Sequence, residues 1–407
     1  MFLRSLVVLA FLFMAYKSGF AAEAHFVHLK AVDKETRNKI ASVIHIDAII
    51  EDSVYAVVND FDLAAININF PNLLVETHQV TLKGDKNADP NSVEFPKGDE
   101  AFHTYQEVLS ELKGYAQTFP DLVEYFEFGK TIEDNVIPAI KIARKDHGQN
   151  FIPAILFLGA HHAREHLSTE IPMLLIKYLL DQYGKDQRIT GLLDSRVLYF
   201  VPMLNVDGAM YDITGRKYKS WRKNRVKNKG GTYGVDLNRN YSFGWGTGGS
   251  SRSESSDVFM GPNPFSEPET VAVKDFVETH PEIRTLLSFH TFSELILYPW
   301  GGRDEGIGGR DQKVFETMAQ TMAQWNKYKP EQASDLYIAS GDTCDWAYGE
   351  HGIFCFTFEL SPSSIWSGGF YPGAKTIDPT FRANILPALY LIEKTADPYS
   401  VLTPSFM

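Results

Sequence analysis

The sequence predicts an α/β domain from about residue 94 to residue 407, preceded by a small α+β unit over residues 25–93. After residue 94, short apolar runs alternate with amphipathic segments, which is the pattern of strands joined by helices. The run Val197–Leu204 is apolar throughout, which is typical of a central strand covered on both faces. With 407 residues, 44% of them hydrophobic and 22% charged, the chain can bury a large core.

The first 24 residues are predicted to be a signal peptide. Arg4 gives a positive start, the apolar run Ser5–Tyr16 is too short to cross a bilayer, and Ala22–Ala24 offers a small-x-small cleavage site. No later segment has the apolar length of a membrane helix, so we expect an exported protein without a membrane span. The net charge of −12 argues against a nucleic-acid partner, because such proteins usually present a basic face.

Residues 25–93 mix short strands and helices. The predicted strands are His25–Ala31, Ser53–Val58 and Leu73–Leu82, and the predicted helices are Asp33–Val43 and Asp60–Ile68. The segment 83–100 that follows is rich in Lys, Asp, Asn, Pro and Gly, which is the composition of a linker open to a protease. A signal peptide, a small unit, a cleavable linker and a large domain together predict a zymogen; the alternative is a plain accessory domain.

The segment after residue 94 supplies the elements of the α/β domain. The predicted strands are Leu122–Gly129, Ile137–Ala143, Ile152–Leu158, Val197–Leu204, Ile283–Phe289 and Ile353–Phe358, and the predicted helices are Tyr105–Phe119, Thr169–Leu180 and Phe381–Lys394. Asn205–Gly208 is expected to form a turn, and Ser266 with Glu269 is expected to form a capping box.

A polar turn, GAHHAREH over residues 159–166, lies between a predicted strand and a predicted helix. In open α/β sheets, ligands bind beyond the carboxyl ends of the strands. The spacing His162-x-x-Glu165 would give zinc one imidazole and one carboxylate ligand, and a third protein ligand would have to come from elsewhere. In an inverted zincin, both His162 and His166 would instead bind the metal and Glu165 would act as the base, all on one helix. The third possibility is a polar loop without metal.

Two further predicted strands end in residues that suit this site. His290 follows the apolar run Leu286–Phe289, and Glu359 closes the apolar run Phe354–Phe358. Imidazole and carboxylate ligands suit zinc, and three protein ligands suit a catalytic site, so His290 is the predicted third ligand. Burial should raise the pKa of Glu359 toward neutrality, which suits a general base.

Two clusters of cationic and amide residues, WRKNR over residues 221–225 and DLNRN over residues 236–240, bracket a Gly/Lys loop. An arginine beside zinc can stabilise an oxyanion, and another can hold a carboxylate through two parallel hydrogen bonds. Such a site indicates a substrate that carries a negative charge near the scissile bond, as the carboxyl end of a peptide does.

The blocks HAREH, WRKNR, GVDLNRNY, FHTFSELILYPWG, LYIASGDTCDWAYG and FTFEL resemble those of the zinc metallocarboxypeptidases of the A/B type, and in particular the carboxypeptidase T branch. The resemblance runs from about residue 94 to about residue 401. It implies a mixed, mostly parallel eight-stranded sheet flanked by helices, with residues 94–407 as the catalytic domain and residues 25–93 as an inhibitory propeptide. It also implies one zinc ion per chain, the carboxyl ends of peptides and proteins as substrates, and an activating protease that cuts the 83–100 linker.

The same resemblance assigns roles by position. His162, Glu165 and His290 resemble the zinc ligands, Glu359 the general base, and Arg225 the residue that polarises the scissile carbonyl. The residues that resemble the clamp on the substrate carboxylate are Asn238, Arg239 and Tyr337, with Arg164 and Arg222 as secondary carboxylate sites. Asp236 resembles the partner that orients His162, and the pocket for the terminal side chain should include Ala339, Asp342 and Cys344.

Specificity is expected to be mixed. Asp342 resembles the pocket aspartate of carboxypeptidase T, which accepts apolar and basic residues. Cys344 and Cys355 are the only cysteines, and they are either bridged or both free thiols. The region 145–150 is poor in carboxylates, so a calcium site there is not expected. The competing functions are a zinc hydrolase of the same fold that acts on cell-wall peptides or acyl groups, and a peptide-binding protein without activity.

Overall fold

The computed structural model describes residues 24–145 and 151–402. The predicted signal peptide lies outside the described residues except for Ala24, and the region 145–150 does so except for Lys145. The strands are β1 (Ala24–Lys30), β2 (Ala48–Ile50), β3 (Ser53–Val58), β4 (Leu74–Val80), β5 (Val123–Lys130), β6 (Val136–Ile142), β7 (Ala154–Leu158), β8 (Val197–Val201), β9 (Ile283–Thr291), β10 (Leu295–Tyr298), β11 (Lys329–Gln332) and β12 (Phe354–Leu360). The α-helices are α1 (Lys34–Ala41), α2 (Asp60–Asn69), α3 (Tyr105–Thr118), α4 (Leu167–Gln182), α5 (Gln187–Leu193), α6 (Val206–Ile213), α7 (Pro268–Thr279), α8 (Gly309–Asn326), α9 (Thr343–His351) and α10 (Ile377–Lys394).

The N-terminal unit, residues 24–80, is an antiparallel sheet with the strand order β2-β3-β1-β4. Alternate residues of its strands, including Val27, Leu29, Val54 and Ala56, are fully buried and pack with Ile66 of α2. This alternation leaves one face of the sheet for the helices to cover. The small α+β unit that the sequence predicts is therefore confirmed.

The second sheet has eight strands in the order β11-β10-β12-β9-β7-β8-β6-β5 over the described ranges. The central strands β12, β9, β7 and β8 are mutually parallel, whereas β10, β6 and β5 run antiparallel to a neighbour. Ile155 and Phe157 belong to one core cluster, while Leu156 and Leu158 belong to another, so the sheet is covered on both faces. The predicted mixed eight-stranded sheet is confirmed.

The parallel strands determine where the functional residues meet. Because β7, β9 and β12 are parallel neighbours, their carboxyl ends lie at one edge of the sheet. The turn that follows β7, the end of β9 and the end of β12 carry His162, His290 and Glu359, respectively. The sequence predicts a functional site where these three strand ends meet.

Two local predictions are wrong. Asn205 does not belong to a free turn but caps α6, where its side-chain oxygen accepts a hydrogen bond from the Gly208 amide at 3.1 Å. Ser266 does not form a capping box with Glu269, since α7 begins at Pro268 without a side-chain cap. The Ser266 hydroxyl instead donates to Glu267 at 2.7 Å and lies 3.0 Å from the Asn240 amide nitrogen.

The segment 83–100 is packed against the large domain. Phe95 is buried in the main core cluster, and Arg216 pairs with the carboxylates of Asp85, Glu94 and Glu100. Lys86, by contrast, lies in an exposed turn. In the described ranges, no helix has both the length and the apolar character needed to cross a membrane.

Candidate active site

The turn after β7 is shaped by a close approach of three backbone segments. A Cβ added to Gly159 would lie 2.2 Å from the Ser168 carbonyl oxygen and 2.5 Å from the Pro202 carbonyl oxygen. Only glycine fits there, because real Cβ atoms do not approach oxygen so closely. Ala160 follows with a φ of 52°, which turns the chain sharply. This turn brings His162 and Glu165 against the end of β9.

His162, Glu165 and His290 converge on one point. The Nδ1 atoms of the two histidines are 3.1 Å apart, and the Glu165 carboxylate lies 2.7 Å from His162 Nδ1 and 3.0 Å from His290 Nδ1. All three residues are buried, and their ligand atoms lie within 4.8 Å of one another. Two imidazoles and one carboxylate are the donor set of a catalytic zinc site that leaves a fourth position open. The residues therefore fit zinc.

Each ligand is oriented by a neighbour. His162 Nε2 lies 3.2 Å from Asp236 Oδ1, and His290 Nε2 lies 3.0 Å from the Ser288 hydroxyl. Burial raises the pKa of Asp236, but the nearby Arg222 guanidinium and His162 outweigh burial and hold that pKa well below its ordinary value. A charged Asp236 fixes the ring of His162 so that Nδ1 faces the metal position. This is the partner that the sequence predicts for His162.

The neighbouring histidines of the turn are engaged elsewhere. His166 Nε2 lies 2.9 Å from Asp212, and His161 Nε2 lies 3.0 Å from the Tyr241 hydroxyl. His166 also stands at the N-terminal boundary of α4, after the turn that carries His162. Since the two residues point to different partners, the geometry does not fit an inverted zincin.

Glu359 lies beside this cluster because of the strand register. It pairs with His290 across the parallel β9–β12 ladder, and it lines the same cavity of about 290 Å³ as the three ligand residues. Burial raises the pKa of Glu359 to about 7, and the charge of Glu165 adds to this effect, while His290 and Arg222 oppose it. A carboxylate with a pKa near neutrality can both accept and return a proton.

The two arginines of the WRKNR block have different environments. Arg222 lines the cavity, donates to Asp236 from Nε at 2.9 Å, and directs Nη1 to within 3.8 Å of Glu165, where Nη1 makes no hydrogen bond. Arg225 does not line the cavity. Its guanidinium lies 3.7 Å from the ring centre of Tyr211 and 4.7 Å from that of Tyr233. The expectation that Arg225 acts on the scissile carbonyl is thus corrected, because aromatic rings hold its guanidinium away from the cavity, and Arg222 is the arginine of this block that borders the cavity.

The predicted carboxylate clamp lines the cavity. Arg239 donates to the Gly249 carbonyl at 2.9 Å and to the Asn238 carbonyl at 2.6 Å, so its guanidinium is held by backbone groups. Asn238 accepts hydrogen bonds from the Thr343 amide and hydroxyl through its side-chain oxygen. Tyr337 also borders the cavity, where its hydroxyl donates to the Ile46 carbonyl of the N-terminal unit at 3.5 Å.

The predicted specificity pocket is formed in part. Ala339 and Asp342 line the cavity. Asp342 caps α9 through Oδ1, which accepts from the Cys344 and Asp345 amides, while its buried Oδ2 makes no hydrogen bond. Cys344 does not line the cavity, because its sulfur is bonded to Cys355 on β12. Its expected contact with substrate is therefore corrected, and the open question of the cysteines is resolved in favour of a bridge.

Arg164 does not reach the cavity either. Its side chain is buried against the ring of Phe370 at 4.2 Å, 3.5 Å from Asp47 of the N-terminal unit and 3.3 Å from Asp257. In the intact chain Arg164 hydrogen-bonds Asp257 of the large domain and forms an ion pair with Asp47, so its guanidinium does not border the cavity as expected of a secondary site for a substrate carboxylate. The sequence analysis did not single out Asp47; the signal was an aspartate inside the apolar run Ile46–Ile50.

The N-terminal unit covers the cavity. Residues 45–50 form part of its lining, and the ring of His45 lies 6.4 Å from that of His162. Flanking hydrogen bonds anchor the unit: Ser256 donates to the Val43 carbonyl at 2.7 Å, and the Ile338 amide donates to Asn38 at 2.8 Å. The N-terminal unit therefore restricts solvent access to His162, Glu165 and His290 in the intact chain.

Comparison with known proteins agrees with this geometry. A model of the family Peptidase_M14, zinc carboxypeptidase, matches residues 108–386. A zinc carboxypeptidase of Saccharothrix mutabilis subsp. capreolus is 36% identical over 288 residues, which cover 69% of this chain and 66% of that protein, just under two thirds of its length. Carboxypeptidase A2 of Rattus norvegicus is 31% identical over 309 residues, which cover 74% of this chain and 72% of that protein.

Solved structures share the fold. Thrombin activatable fibrinolysis inhibitor superposes with a TM-score of 0.74 at 22% identity, over 93% of this chain and 100% of that chain. Carboxypeptidase A from Helicoverpa armigera superposes with a TM-score of 0.74 at 24% identity, over 92% of this chain and 98% of that chain. At these identities the likeness concerns the fold alone.

Proposed function

This chain belongs to the zinc carboxypeptidase family, and on that premise we propose that it is an exported zymogen which releases single amino acids from the carboxyl ends of peptides and proteins. As a member of the family it is a zinc metallopeptidase that hydrolyses C-terminal peptide bonds. The observation that carries the proposal is a single cavity that is lined by His162, Glu165 and His290 together with Glu359 and Arg239.

Each group of this cavity has a role in the proposed reaction. Bound zinc would supply Lewis acidity and lower the pKa of a water molecule. Glu359, with its pKa of about 7, takes a proton from the attacking water and delivers it to the leaving amine. The Nη1 atom of Arg222 lies 3.8 Å from Glu165 and makes no hydrogen bond. It donates to the oxyanion that forms on the scissile carbonyl.

Asn238, Arg239 and Tyr337 bind the terminal carboxylate of the substrate. A guanidinium held by backbone carbonyls is preorganised for such an anion, so less rotamer entropy is lost on binding. A deacylase does not need this clamp, which favours carboxypeptidase activity over that alternative. Asp342 lines the cavity and has one oxygen that makes no hydrogen bond, which supports the proposed mixed preference for apolar and basic terminal residues.

The N-terminal unit acts as the inhibitory propeptide. Its coverage of the cavity and the contact between Asp47 and Arg164 support this role. The activating protease cuts the 83–100 linker, in which Lys86 lies in an exposed turn. Residues 1–24 serve as the signal peptide, so the zymogen is exported.

The experiment compares the intact chain with a preparation cut in the linker. We expect one zinc per chain in both, and free C-terminal amino acid from a peptide only after the cut. Release of amino acid by the intact chain at the full rate would remove the zymogen part of the proposal. Absence of release from every peptide by a zinc-loaded, cut preparation would remove the proposed activity.

A further inference from the structure

One of the carboxylates that line the cavity was not identified by the family resemblance. Glu331 on β11 lines the cavity with a side chain that is only 9% exposed. Its Oε2 accepts from Lys329, but its Oε1 is buried and makes no hydrogen bond. Buried polar atoms without a partner are uncommon in folded proteins and call for an explanation.

The strand register brings Glu331 to the pocket for the terminal side chain. Thr357 of β12 is paired with Leu297 of β10, which in turn is paired with Glu331 of β11. Paired residues on neighbouring strands point to the same face, at a spacing of about 4.8 Å per strand. Thr357, Leu297 and Glu331 therefore form one row across the wall of the cavity, and all three line it.

Asp342 faces the same space from the start of α9. Its Oδ2 lies 3.2 Å from the position that a Cβ on Gly301 would take, and the Cβ of Ala333 lies 3.5 Å from that position. Ala333 directly follows β11, two residues after Glu331. Asp342 and Glu331 thus both line the cavity, each with one buried oxygen that makes no hydrogen bond, and Leu297 is an apolar residue of the same lining.

The ion pair with Lys329 does not account for this arrangement. The Lys329 side chain is 68% exposed, and it reaches only one of the two carboxylate oxygens. Exposed ion pairs contribute little stability, so a surface pair gives no reason to bury the second oxygen. A ligand with several N–H donors would satisfy both free oxygens, and the ends of arginine and lysine side chains are such groups.

We propose that Glu331 is a specificity-determining residue which, together with Asp342, raises the preference for terminal arginine or lysine at a site that also accepts apolar residues. Apolar terminal residues still pack on Leu297, but they bring no N–H donors to the carboxylates, whereas the end of an arginine or lysine side chain does. The inference rests on the proposed function, because it concerns the substrate of the same site.

The test uses the full chain after its linker has been cut, and peptides that differ only in a C-terminal Arg, Lys or Phe. We expect Glu331→Gln to lower the ratio of kcat/KM for Arg over Phe by about tenfold or more, the change expected on loss of one charge-assisted hydrogen bond. Glu305→Gln removes an exposed carboxylate of a nearby loop and should leave the ratio unchanged. Competition by free L-arginine and L-phenylalanine gives a second readout, in which only arginine loses affinity.

An unchanged Arg to Phe ratio in a folded, zinc-loaded Glu331→Gln variant would overturn the inference. An equal loss for all three peptides would also overturn it, because it would indicate a packing role. Should Glu331→Gln not fold, Glu331→Asp keeps the charge but withdraws it by one methylene, and an unchanged ratio there is equally decisive. Failure of the proposed function would look different, since no peptide would be cleaved by the cut wild-type chain.

Discussion

Docking of the N-terminal unit on the large domain should weaken as pH rises. The reason is that burial in the interface disfavours the charged form of Asp47. Burial raises the pKa of Asp47 from 3.8 to about 6, and neither the Arg164 guanidinium nor the hydrogen bond from the Val57 amide fully offsets this. A group whose pKa is raised in the docked state stabilises docking fully below its free pKa, and this stabilisation is lost as pH rises through the docked pKa. With the ordinary value of 3.8 taken as the pKa of Asp47 in the undocked unit, the window is about pH 3.8 to 6.

The magnitude follows from the same two values. The difference between 3.8 and about 6 corresponds to about 3 kcal/mol in total, since a tenfold change in an equilibrium is about 1.4 kcal/mol. About tenfold of this change falls between pH 5 and pH 7. Burial and the charge of Asp257 also raise the pKa of Asp62, a buried residue of α2 at the same interface, so its contribution has the same sign.

Hydrogen exchange of the intact chain measures this docking without any need for activity. The Gly249 amide donates to Ser42, and the Ile338 amide donates to Asn38, both across the interface. After correction for intrinsic rates, their protection should fall about tenfold more from pH 5 to pH 7 in wild type than in Asp47→Asn.

The control is Asp52→Asn, which removes a carboxylate that pairs with Lys30 within the N-terminal unit and should retain the wild-type slope. Protection that does not change with pH, or an Asp47→Asn variant as steep as wild type, would refute the reasoning.

Three further predictions concern the active site and its support. Arg222→Met should lower kcat by about 10²- to 10³-fold, whereas Arg225→Met should keep kcat within a few-fold and lower the unfolding free energy by about 0.5–1 kcal/mol from lost cation–π contacts; equal losses of kcat would contradict this assignment. Glu359→Gln should reduce kcat by about 10²- to 10⁴-fold while the zinc content, measured by mass spectrometry, remains one per chain; substantial residual turnover would exclude Glu359 as the base. Replacement of Cys344 and Cys355 together by Ala opens a loop with a sequence separation of 11 residues and should cost about 3 kcal/mol in denaturant unfolding; an unchanged midpoint would show that packing alone holds the loop.

The meeting of His162, Glu165, His290 and Glu359 could be predicted because these residues lie at, or in the turn after, the carboxyl end of a buried strand. His290 and Glu359 end apolar runs, and parallel strands that are neighbours place their carboxyl ends together. The hydrophobic pattern that identifies the strands therefore also brings these distant residues to one edge. The sequence was sufficient to predict this meeting of residues because the hydrogen bonds between parallel strands fix where the strand ends lie.

The roles of Arg222 and Arg225 could not be separated in this way. Both lie in one charged block, and their spacing does not indicate which guanidinium turns inward. The direction is set by distant partners: Asp236 binds Arg222, and the rings of Tyr211 and Tyr233 hold Arg225. Such contacts depend on loop geometry, which hydrophobic periodicity does not encode.

The edge strand β11 of the large sheet was not predicted from the sequence, for a different reason. β11 reads Lys-Pro-Glu-Gln, a segment with neither alternation nor apolar character. Its position as an edge strand tolerates the proline, because one side of the strand makes no ladder hydrogen bonds. Glu331 therefore looked like a loop residue, and only its register with Leu297 brings it to the cavity.

The burial of Phe95 and Phe102 in the main core has a practical consequence for anyone who prepares the active form. A protease that cuts near Lys86 would leave both aromatic rings attached to the enzyme, whereas a recombinant fragment that starts at α3 would lose them. The shorter fragment should be prone to aggregation even though it retains every catalytic side chain. The cleavage site that activates the chain and the first residue of the folded catalytic domain therefore need not coincide.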